Sequence, residues 1–95
     1  MSAFTVTSVI DGDTFIVSPN WKWNSESGDR VRPTGYNAPE LHEYGGPAAR
    51  DELARIIMGK QVDLRTAYKV DRGRLVCDVY ISGRNLADYF PNYQT

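Results

Sequence analysis

Apolar and β-branched residues alternate with polar ones through most of the chain, and each run ends in a turn signal. Phe4 to Ile10 alternates loosely, with Phe4, Val6 and Ile10 on one side, and reads as a first strand. Asp11-Gly12 is a tight-turn dipeptide. Thr14 to Ser18 therefore returns as an antiparallel second strand, with Asp13 at its start. Pro19 to Asp29 is polar and full of turn residues, which predicts a loop or a long, irregular hairpin connection. Arg30 to Tyr36 is a third strand, with Arg32, Thr34 and Tyr36 sharing a face and Pro33 indicating an edge position or a bulge.

Past a loop at Leu41 to Gly46, the period changes. Pro47 to Met58 carries Ala49, Leu53, Ile56 and Ile57 on one apolar stripe, with Asp51 and Arg55 paired on the outer side. Pro47 suits the first helical position and Gly59 the stop. Gln61 to Val70 alternates through Val62, Leu64 and Thr66. Asp71-Arg72-Gly73 turns it back into a fifth strand, Arg74 to Ser82. Asn85 caps a short helix, Leu86 to Phe90, stopped by Pro91. Strand-strand-strand-helix-strand-strand-helix is the order of an OB-type barrel. The expected fold is α+β, mainly β: a five-stranded OB-fold barrel with one helix between strands 3 and 4 and a short C-terminal helix, residues 1–95 forming a single domain.

Composition narrows the function classes. With 95 residues, such a domain buries about 60–65% of its unfolded surface. A formal net charge of −1 supplies no global positive field, so any nucleic-acid attraction must come from a local basic patch. One cysteine and one histidine leave no intramolecular disulfide and argue against a structural zinc site. Cys77 falls on the apolar face of its strand and reads as a buried structural thiol. No apolar run approaches the ~18–20 residues that span a bilayer. No membrane partner is expected. The chain as written reads as cytoplasmic, or as exported if it is the mature part of a longer precursor. A monomer is assumed.

The candidate chemistry lies at one sheet edge. The start of a strand and the end of its antiparallel neighbour share an edge, so Asp13 and Glu40 are expected to meet. Two carboxylates beside arginines suit metal-assisted chemistry on phosphate. Trp21 and Trp23 invite base stacking, but their loop lies at the opposite edge, ~15 Å away for a strand of about five residues. They are read as covering the barrel end or serving a partner surface. His42, in a loop without a Ser or Cys partner, is read as a solvated side chain. Tyr89, Phe90 and Tyr93 are read as covering the barrel.

Val9-Ile10-Asp11-Gly12-Asp13-Thr14-Phe15, then Val31 to Glu40, then Asp71-Arg72-Gly73-Arg74 resemble, in order and spacing, the three motifs of the staphylococcal nuclease-like (thermonuclease) domain family. The resemblance runs from about Phe4 to Phe90. It implies a calcium-dependent phosphodiesterase cutting DNA or RNA on an OB barrel. By position it makes Asp13 a metal ligand and Ala38 a backbone-carbonyl ligand. Asn37 stands where the family usually has a second metal-binding aspartate; its amide oxygen can still ligate, with one negative charge fewer. Glu40 would be the general base on the attacking water. Arg32 and Arg74 would clamp the phosphate, with Arg72 beside them on the substrate. Forked guanidiniums stabilise the charge that builds on phosphate oxygens better than lysines.

The same resemblance holds a second function open, motivated by Asn37 and by a turn before Arg74 one residue shorter than the family's. It is a module on this fold that binds nucleic acid or protein with catalysis weakened or lost.

Overall fold

The computed structural model describes residues 3–94. It is an α+β protein, mostly strand, built as a closed five-stranded OB-type barrel with one helix between strands 3 and 4. The strands are β1 (Phe4–Asp11), β2 (Thr14–Trp23), β3 (Glu26–Pro33), β4 (Gln61–Asp71) and β5 (Arg74–Ile81), followed by a two-residue β6 (Arg84–Asn85). The helix α1 (Gly46–Ile57) lies between β3 and β4, and two short 3-10 turns, Leu86–Tyr89 and Pro91–Tyr93, follow β6. Antiparallel pairing runs β3-β2-β1-β4-β5-β6, and a parallel β3–β5 pairing closes the barrel. No helix among the described residues is long and apolar enough to cross a membrane.

The interior is one cluster. Val6, Phe15, Val17, Val31, Val62, Leu64, Leu75, Cys77 and Val79 fill it from the strands, and Leu53, Ile57 and Leu86 close its ends. Those strand residues alternate with outward ones, as half-buried strands require. In β1 the alternation drifts: bulges between Val6 and Ser8 and between Val9 and Asp11 shift its register against β2. Each bulge inserts a residue and turns the following side chains. Val9, rather than Ile10, thereby packs against the core.

Three segments differ from the sequence expectation. The Pro19–Asp29 connection is the hairpin alternative: β2 continues to Trp23, and β3 starts at Glu26. Its two-residue turn, Asn24-Ser25, has both φ angles positive, at 52° and 66°, which matches the twist of the flanking strands. Trp21 is buried, donates its indole N–H to the Arg30 carbonyl at 2.8 Å, and lies over Gly28, where a Cβ would approach its ring to 2.8 Å. The polar composition of the hairpin hides a strand pair held by one aromatic. Trp23 is partly buried and packs against the core.

β3 ends at Pro33, before Tyr36. Pro33 is not on an edge strand, because β3 pairs on both sides. The β2 ladder stops at Val31, so the missing N–H of Pro33 removes no bond there. On α1, Asp51 pairs with Arg50 at 3.2 Å and Arg55 with Glu52, in place of the expected Asp51–Arg55 pair. Asn85 does cap the first 3-10 turn, its Oδ1 accepting the Ala87 N–H at 2.9 Å.

Cys77 is fully buried, and burial, with Asp78 next, pushes its thiol up to about 12. At pH 8 the native thiol is neutral and covered, and thiolate is the reactive form. Labelling by a thiol reagent is expected only in step with denaturant-induced unfolding. Fast labelling of the native chain would contradict this packing.

Candidate active site

Asp11-Gly12-Asp13-Thr14 forms the corner on which the candidate residues converge. The Asp13 N–H donates to Asp11 Oδ1 at 3.1 Å, which holds the turn and brings the two carboxylates together. Gly12 is required by space. A Cβ there would come within 2.6 Å of Ala38 Cβ and 2.7 Å of Ala49 Cβ, so the turn is wedged between the Asn37–Glu40 segment and α1. Tyr36 is buried and its hydroxyl donates to the Gly12 carbonyl at 2.9 Å. Desolvation, then the charges of Asp13 and Asp11, raise that phenol far above its ordinary value, so it serves as a fixed neutral donor.

Asp13 is only 8% exposed. Desolvation, then its hydrogen bond to and repulsion by Asp11, raise its carboxyl from 3.8 to about 6, against the opposing pull of Arg32 and of the Ala38 backbone N–H. Arg32 Nη2 lies 3.5 Å from Asp13 Oδ2 and also donates to Asn37 Oδ1. One guanidinium nitrogen thus spans two of the residues expected to ligate metal. Arg74, whose side chain is 20% exposed, donates from Nη1 to the Thr14 hydroxyl at 3.1 Å and from Nη2 to Asp71 Oδ2 at 3.2 Å. Thr14 Oγ1 in turn lies 3.5 Å from Asp13 Oδ1. The connected set runs Arg74, Thr14, Asp13, Arg32, Asn37.

Barrel closure makes this convergence possible. In the parallel β3–β5 pairing Arg30 faces Arg74 and Arg32 faces Val76, which sets both arginines on the outer side next to the start of β2. Arg72 lies apart, exposed at the tip of the β4–β5 turn with φ 55°.

Glu40 is close in sequence to this corner, yet it turns outward. Its side chain is 62% exposed and lies 3.5 Å from His42 Nε2. Among the described residues no hydrogen bond or ion pair joins it to Asp13 or Arg32. Its backbone is held tightly: Glu40 N–H donates to Glu43 Oε1 at 2.8 Å, and Glu43 N–H to the Glu40 carbonyl at 2.9 Å. Gly46 presses on that carbonyl, where a Cβ would sit 1.9 Å from the oxygen. The turn places the Glu40 carboxylate at the rim of the corner, facing solvent.

Among the described residues no three His, Cys, Asp or Glu side chains gather as a metal cage. The donors at hand are all oxygen: the Asp13 carboxylate, the Asn37 amide oxygen, and the Asp11 carboxylate beside them. Asp13, desolvated and next to Asp11, keeps its proton to about pH 6, so the site is short of positive charge. That donor set fits a hard cation with remaining positions left for water or substrate oxygen. The Ala38 backbone meets Asp13 through its N–H, a contact the expected carbonyl role does not foresee. Thr14 and Tyr36 escaped sequence reasoning as site residues. Thr14 was legible only as part of the DGDT run, and Tyr36 only as a strand residue.

Comparison with protein-family models and with curated proteins finds no match to this chain.

A carboxyl that keeps its proton to about pH 6 when folded and to 3.8 when unfolded stabilises the native state most at low pH. That contribution falls as pH rises from about 4 to 6. Asp13→Asn fixes the neutral form. In chelator it is expected to melt several degrees above the parent at pH 7 and close to it at pH 4, by circular dichroism. An equal or lower Tm at pH 7 would show that Asp13 is not held under charge stress.

Proposed function

We propose that the chain is a calcium-dependent phosphodiesterase of the staphylococcal nuclease-like kind, cleaving DNA or RNA. The observation that carries this reading is the corner itself. Two guanidiniums, Arg32 and Arg74, flank the desolvated Asp13 and its neighbour Asp11 on a solvent-facing edge, with an exposed carboxylate, Glu40, at its rim.

Each residue has a task that its surroundings support. Arg32 and Arg74 are forked donors whose present acceptors are protein oxygens, and the planar fork of each also matches the oxygens of an incoming phosphate. As charge builds on the non-bridging oxygens, both guanidiniums stabilise it from fixed positions. Asp13 and Asn37, with Ala38, would hold the calcium ion. When bound, that ion supplies positive charge at the phosphate and relieves the repulsion between Asp11 and Asp13. Glu40, exposed and unpaired to any arginine, is a base free to take a proton from water. The water oxygen bonds to phosphorus, one ester P–O bond breaks, and its electrons leave with the alcohol oxygen. Thr14 positions Arg74, and Tyr36 positions the turn that carries Asp13.

A second reading is favoured by one observation. Arg32 already donates to both Asp13 and Asn37, taking up with its own charge the oxygens that a metal would use. On that reading the corner binds phosphate and catalysis is lost.

Hydrolysis of single-stranded DNA and RNA with millimolar calcium, against a chelator control, separates the two. Cleavage is expected with calcium only. Glu40→Gln is expected to reduce kcat by about 10²–10⁴-fold, the usual worth of a general base. Binding without turnover in the parent would establish the second reading, and full activity in Glu40→Gln would remove Glu40 from its role.

A further inference from the structure

We propose that the outer face of β3, β5 and β4 is a track for single-stranded nucleic acid running from the Arg32–Arg74 corner, with the Tyr68 ring as its base-stacking platform. This rests on reading that corner as a phosphodiester site.

The register builds the track in rows. Arg32 on β3 faces Val76 on β5, and Val76 faces Lys69 on β4. Val31, Leu75 and Cys77 point into the barrel, so their neighbours Arg32 and Val76 lie on the outer side, Val76 covered there, and Lys69 exposed beside it. At two strand spacings, the Lys69 backbone lies about 10 Å from that of Arg32.

The next row is Thr34, Asp78 and Tyr68. The Thr34 hydroxyl donates to Asp78 Oδ1, and the Tyr68 hydroxyl donates to Asp78 Oδ2 at 3.1 Å. The β4 register shifts between Ala67 and Lys69, which makes Tyr68 the extra residue of a bulge. A bulge re-aims a side chain. Here it sets a tyrosine on the outside, 56% exposed yet fixed at its hydroxyl. A fixed exposed ring loses little entropy when a base stacks on it, and any base offers a π-face. Because the base must be unstacked to reach it, the ligand is a single strand rather than a duplex.

Charge favours the same occupant. Arg30, Lys69 and Arg72, on this face or at its end, form no ion pair among the described residues. Of the acids nearby, Asp71 is paired with Arg74, while Asp78 accepts from two hydroxyls and keeps its charge, one against three cations. A chain of net charge −1 therefore concentrates free positive charge beside its candidate site.

The test is binding of fluorescent oligothymidylates, from dinucleotide to dodecamer, in chelator, with cleavage in calcium followed in parallel. Affinity is expected to rise with length. Tyr68→Ala is expected to weaken dodecamer binding by about tenfold, and Lys69→Ala to lower the salt slope by about one. Tyr68→Phe, which keeps the ring and loses the Asp78 bond that fixes it, is expected to bind between the parent and Tyr68→Ala. The proposal is overturned if the parent does not bind, if Tyr68→Ala binds as the parent does, or if Tyr68→Phe is as weak as Tyr68→Ala. Length-dependent binding without cleavage would remove the nuclease reading and leave the track standing. Cleavage without length dependence would remove the track alone.

Discussion

The parallel pairing of β3 with β5 is the contact on which the remainder depends. All other ladders are antiparallel and join strands consecutive in sequence or, for β1 and β4, the first strand to the one after the helix. Parallel neighbours need a long crossover, here α1 and β4. Once it forms, no open edge is left between β3 and β5, and residues far apart in sequence acquire a fixed register. Arg30 against Arg74 and Arg32 against Val76 is the consequence for chemistry. Two arginines from different motifs then share a corner that neither hairpin can build alone.

At that corner the electrostatics work against the fold. Asp13 is desolvated beside Asp11, and a single arginine nitrogen meets it at 3.5 Å. Such an arrangement is tolerated because the turn is over-determined: Gly12 wedged against Ala38 and Ala49, Tyr36 bonded to its carbonyl, Thr14 tied to Arg74. Strain concentrated where surrounding packing overrides it is the usual signature of a site selected for binding rather than stability. No buried side-chain nitrogen or oxygen among the described residues is left without a partner. The cost lies in charge, not in unmade hydrogen bonds.

Much of this was legible in the alternation of side chains. β4 and β5, the helix, the Asn85 cap and the OB-type order follow from periodicity and punctuation. Strand ends sharing an edge were read as joining Asp13 to Glu40, and it is Arg32 that meets Asp13 there. Other features had no one-dimensional signal. The two bulges of β1 redirect Ile10 and Val9 without any change in composition. The Trp21 hairpin is polar and starts with proline, so the β2–β3 ladder and the indole bond to Arg30 that hold it had no signal in the sequence. Glu40 was expected to face Asp13 because both lie at one edge. The turn through Glu43, pinned by Gly46, rotates its carboxylate to the rim instead. Tyr36 continued an alternating face on paper, but the strand ends at Pro33 and its ring enters the core.

The segment after β6 takes part in holding the site loop. Tyr36 bridges to Gln94, the Asn37 N–H donates to the Tyr93 carbonyl at 2.9 Å, and Phe90 stacks on Tyr36 at 4.7 Å between centroids. Gln94 in turn donates to the Ala87 carbonyl at 3.0 Å. The stretch carrying Asn37 and Ala38 thus has no hinge of its own. Its contacts tie it to residues 87–94, so loosening of one loosens the other. Breathing of the candidate site's rim and fraying of the last described residues are then coupled through these contacts.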